Sequence, residues 1–177
     1  MTPSHTHPTT WANAIAARVG RYGLGQWFAP LGQWLELPAD LRWLPQSCAD
    51  GAQVVPAARR AVQLYLTPLP TIDSVPPRMR HHHVVLGTAW FNARMVRERP
   101  AECALPFGLD AFADTPAQVA ATLGSPALIP AADTDLAPDT FAYVLPEGRW
   151  AHIRFEPTHT GIVQVRLTHP DEPRPKG

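Results

Sequence analysis

The chain has 177 residues, 45% of them hydrophobic, and its Lys+Arg 15 are balanced by Asp+Glu 15. That length and apolar content suit one domain with a real core and exclude wholesale disorder, and the even charge gives no general attraction to nucleic acid or an anionic membrane. Charged residues are only 17% and prolines number 21, so the surface is poor in charge and long regular elements are excluded wherever prolines cluster.

Residues 1–9 and 169–177 are polar and proline-rich, and are expected to be flexible tails around a single α+β domain over 10–168. Within it, 10–82 is the less regular half. Thr10 is the expected N-cap of a helix running to about Tyr22, with Trp11, Ile15, Val19 and Tyr22 as its apolar stripe and Gly23 as its stop. Residues 24–45 are dense in Trp and Gly, and their period selects neither helix nor strand. Over 60–67, Val62, Leu64 and Leu66 alternate with Gln63 and Tyr65, which predicts a strand, although Pro56 and its successors also suit a helix start. Residues 68–80 carry four prolines and predict a long loop. Residues 83–96 return to strand character, with a bulge at Gly87.

The half from 83 to 168 is expected to form one strand, turn, helix and meander unit. Leu105-Pro106-Phe107-Gly108-Leu109 predicts a turn. Thr115 is an N-cap, Pro116 suits the first helical position and Gln118 has capping-box spacing. Val119 and Leu123 give the helix its buried stripe, and Gly124 ends it with a left-handed cap. A polar loop over 127–139 precedes strands at about 140–145, 149–156 and 162–168, with turns at 146–148 and 157–161. Ala151, Ile153 and Phe155 alternate with Trp150, His152, Arg154 and Glu156; Val163, Val165 and Leu167 alternate with Gln164, Arg166 and Thr168. One face therefore packs on a helix and the other meets solvent or a partner. The predicted class is α+β, an antiparallel sheet with helices packed largely on one face.

The run LPFGLDAFADTPAQVAATLGSP, followed by FAYVLPEGRWAHIRFEPTHTGIVQVRL, resembles a pattern in small bacterial proteins, notably the immunity proteins of polymorphic toxins. Those are encoded beside an effector and block it by binding. A similar layout, a helix ending in LG.P before a meander, occurs in BamE-like envelope lipoproteins; the signal peptide and lipobox cysteine of that version are not read at this amino terminus. The resemblance spans about residues 83–168, under half of the chain. Its motifs are turns, caps and hairpins, which specify a fold better than an activity. It implies a protein acting by occlusion on a cognate toxin or effector, without catalytic residues or cofactor. That no leader and no run of about 20 apolar residues is read makes the expected location cytoplasmic, and with the even charge neither nucleic acid nor a membrane is an expected partner.

His81, His82 and His83 are the most conspicuous polar cluster. On a strand His81 and His83 share a face and offer two metal ligands, but no companion Cys, Asp or Glu has matching spacing, and a polar start to a strand is the simpler account. They support the rival reading of a small metal-dependent hydrolase; a secretion-apparatus adaptor is a third. Cys48 lacks the glycine-bearing surroundings of thiol enzymes, and Cys103 reads as a small buried residue in a strand. Asp133, Asp135 and Asp139 share an acidic loop without EF-hand spacing. Neither GxSxG, HExxH nor a glycine-rich phosphate loop occurs. The set that stands out is Trp150, His152, Arg154, Gln164 and Arg166. Period-2 alternation puts them on the face away from the helix, and an aromatic with two arginines is a composition enriched in interface hot spots. These are the candidate partner-binding residues, with an ordinary solvated sheet face, or one covered by the amino-terminal half of the chain, as the equal alternative.

Overall fold

The computed structural model describes residues 8–21, 25–36, 53–68, 84–127 and 137–169. Strand formation follows the period-2 segments. β1 (Gln53–Ala57), β2 (Val62–Pro68), β3 (Val84–Asn92), β4 (Thr140–Val144), β5 (Trp150–Phe155) and β6 (Ile162–Thr168) make one sheet in the order β1-β2-β3-β6-β5-β4. Every neighbouring pair is antiparallel. The helices are α1 (Pro8–Arg18), α2 (Gly25–Trp34), α3 (Ala93–Glu98) and α4 (Pro116–Leu123). The fold is α+β, and the helices pack largely on one face, as the sequence predicts.

Alternation decides which face that is. Leu64, Ala89, Phe91, Val165, Leu167 and Ile153 lie on one side of the sheet and join Ile15, Leu31, Val96 and Val119 of the helices in a single buried cluster. The cross-strand register confirms it, with Leu64 opposite Ala89, Ala89 opposite Leu167 and Leu167 opposite Ala151. The pairing of β3 with β6 welds the carboxy-terminal meander to the amino-terminal strands. At Gly87 the register slips, Tyr65 facing Thr88 while Leu66 faces Leu86, so the expected bulge is present.

Several boundaries differ from the expectation. α1 starts at Pro8, whose fixed φ and missing N–H suit the first turn, so Thr10 lies inside the helix and residue 9 is not in a tail. It ends at Arg18; Val19 then bridges Leu86 and the Gly20 N–H donates to the Leu86 carbonyl at 2.8 Å. β3 stops at Asn92 rather than continuing to Val96. The Asn92 Oδ1 accepts the Met95 N–H at 3.3 Å and caps α3. β1 and α2 were not read from the sequence. Cys103 lies outside any strand, its thiol donating to the Arg59 carbonyl at 3.3 Å. Tyr22, Gly23, the loop over 69–80, His81, His82, His83, Cys48, Asp133 and Asp135 fall outside the described residues. Among the described residues, no helix is long and apolar enough to cross a membrane.

Candidate functional site

The second face of the sheet carries no helix among the described residues, and it is here that the five candidate residues meet. β5 is bounded by the turn Pro146–Gly148, where Glu147 has φ 66° and Gly148 φ 75°. From that start Trp150, His152 and Arg154 point away from the core. On β6 the same holds for Gln164 and Arg166. Register then fixes the neighbours: His152 stands opposite Arg166, and Arg154 opposite Gln164. All five are half-buried. The structure therefore brings the predicted set together.

It also adds residues that the sequence did not reveal. Arg166 stands opposite Trp90 of β3, and its guanidinium lies 5.5 Å from the ring centroid, within range of a cation–π contact. Tyr65 of β2 flanks Trp90 from the other side at 5.4 Å. Trp150 and His152 stack at 6.1 Å with 8° between their planes. One row across the sheet thus reads Gln63, Trp90, Arg166, His152, and the next reads Asn92, Gln164, Arg154, Thr140.

The members differ in how far they are committed. Arg166 and His152 make further contacts within the molecule. Arg154 has no hydrogen bond or ion pair among the described residues, so its fork of donors is available to an anion. Where β3 passes into α3, Gln63, Trp90, Asn92 and Gln164 line an open cleft of about 370 Å³, with Val62 and Met95 as apolar wall. The Trp90 indole N–H is buried and has no hydrogen-bond partner among the described residues.

Elsewhere the polar groups are structural. His159 Nε2 and Asp139 Oδ1 lie 2.9 Å apart, tying the turn after β5 to the start of β4 and giving Asp139 a role within the fold. Burial, with the Glu102 carboxylate adding to it, pushes the Cys103 thiol up from its ordinary 9.0, so it stays protonated and unreactive at neutral pH. Among the described residues, no group of three or more His, Cys, Asp or Glu side chains is placed to hold a metal ion. No family model, no curated protein and no solved structure matches the chain.

Proposed function

We propose that this is a stoichiometric binding protein, an immunity protein that neutralises a cognate bacterial toxin or effector by covering it with the sheet face that bears Trp150 and Arg154. The observation that carries the reading is the placement of Arg154, half-buried and without an ion pair or hydrogen bond among the described residues, in a face that also presents Trp150. A guanidinium fork seeks a planar anion such as a carboxylate, and the indole of Trp150, beyond His152 on the same strand, adds apolar area to the face. The resemblance of residues 83–168 to toxin-immunity proteins points the same way.

The test is protection of cells that express the product of the adjacent reading frame. Wild-type protein should restore growth and bind that product one to one. Arg154→Ala should weaken binding by about 2 kcal/mol or more, because the partner's carboxylate is left desolvated and unpaired. Trp150→Ala should weaken it as well, with circular dichroism unchanged for both. Full protection by the double variant would remove this face as the contact, and a harmless, non-binding neighbour would remove the neutralisation reading.

A further inference from the structure

The cleft at the β3–α3 junction has a chemistry distinct from that of Arg154. None of its lining residues is charged: Gln63, Asn92 and Gln164 are carboxamides, and Trp90, Val62 and Met95 are apolar walls. A charged ligand group would lose hydration there, and the nearest guanidinium groups, of Arg166 over Trp90 and of Arg154 across from Gln164, stand beside the cleft rather than lining it. The Gln63 and Gln164 carboxamides have no hydrogen-bond partner among the described residues, so each offers donors and an acceptor side by side. Asn92 differs, because its Oδ1 already accepts the Met95 N–H; only its NH₂ donors remain for a ligand. Arg166 lies over the Trp90 ring, and Tyr65 leans against it at 45°. With Arg166 on the ring, less of it is left as a stacking platform for a sugar or a nucleobase. What matches paired donors and acceptors beside an apolar wall is a peptide group next to an aliphatic side chain. At about 370 Å³ the cleft is at the small end of ligand sites, roughly 300–1,000 Å³, with room for a residue or two.

We propose that this cleft seats an uncharged loop of the partner protein: one aliphatic side chain against Val62, Met95 and Trp90, with its flanking peptide groups read by Gln63, Asn92 and Gln164. The inference rests on the binding-protein reading for the identity of its occupant. It adds that the partner contributes a neutral peptide here, beside the anion taken by Arg154.

Two experiments separate the inference from the reading beneath it. In the first, isotope-labelled full-length protein is titrated with N-acetyl-leucinamide and followed by nuclear magnetic resonance. The Trp90 indole N–H and the side-chain amides of Gln63, Asn92 and Gln164 should shift saturably. N-acetyl-leucine, which ends in a carboxylate, should bind about tenfold more weakly. Gln63→Met with Gln164→Met keeps the bulk but removes the amides, and should abolish the shifts while leaving the backbone spectrum intact. No shift at these groups, equal binding of the carboxylate, unchanged binding by the double variant, or a response to methyl glucoside instead would each overturn the assignment. In the second, the same double variant is used in the protection assay, where it should protect less well. Intact protection would overturn the inference and leave the neutralisation reading standing. Binding of the capped leucine without any protection by wild type would do the reverse.

Discussion

Tyr143 shows how a single polar atom can work against a fold. It is fully buried on the core face of β4, opposite Ala151, and its hydroxyl has no hydrogen-bond partner among the described residues. A buried hydroxyl left unpaired carries the cost of its lost hydration, and replacing it with a group of the same shape recovers that cost. Tyr143→Phe should raise stability by about 1 kcal/mol at neutral pH, read as a higher urea midpoint at unchanged slope. Burial also pushes the Tyr143 phenol above its ordinary 10.0. The folded state then holds this proton more tightly than the unfolded chain does. Stability from it is complete below pH 10 and falls as the pH climbs beyond that value. Tyr143→Phe should lack this alkaline loss; a variant less stable than wild type at pH 7 would mean that the hydroxyl is satisfied after all.

α4 is the element whose ends are best specified by local chemistry. The Thr115 hydroxyl accepts the Gln118 N–H at 3.4 Å, and Gln118 Oε1 accepts the Thr115 N–H at 2.8 Å, completing the capping box. Thr115→Ala should cost roughly 1 kcal/mol. Gly124 closes the helix at φ 95° and ψ 177°, which is not the left-handed cap expected from the sequence but a region open essentially to glycine alone. A Cβ there would meet nothing within 4 Å, so the penalty for Gly124→Val is conformational, about 1–3 kcal/mol. Thermal melts should rank Gly124→Val at least as damaging as Thr115→Ala, and an unchanged melt would show that the cap tolerates a side chain. Caps, turns and period-2 strands were legible because each is written in consecutive residues. α2 was not, since Pro30 and its glycines obscure a helical period, nor was β1, where Pro56 sits in an edge strand. The switch from β3 to α3 was hidden because apolar residues continue through it and only the Asn92 side chain marks the change.

At the scale of the whole molecule, what the sequence withheld is pairing between distant segments. Alternation placed Trp150, His152, Arg154, Gln164 and Arg166 on one face, but nothing local says that β3 lies beside β6, and so Trp90, Asn92 and the cleft were invisible. Arg97 shows the same dependence on distant contacts. From α3 its guanidinium donates to the Ala111 carbonyl at 2.9 Å and the Ile162 carbonyl at 2.8 Å, and pairs with Glu156 Oε1 at 2.8 Å. It binds the turn before α4, the first residue of β6 and the segment after β5 into one joint. A side chain at Gly161 would collide there, its Cβ falling 2.7 Å from Arg97 Nη2 and 3.0 Å from the Ala111 carbonyl. Arg97→Ala should therefore cost about 2–4 kcal/mol, mainly from two carbonyls that lose a charged donor. The loss should be local before it is global. The Gly161 N–H donates to Asp114 and the Ile162 N–H to Ala111, so their hydrogen exchange should accelerate more than that of β2. Arg97→Lys keeps the charge near Glu156 but not the planar fork, and should recover less than half of the loss. Full recovery by lysine would make the ion pair, rather than the fork, the source of the stability.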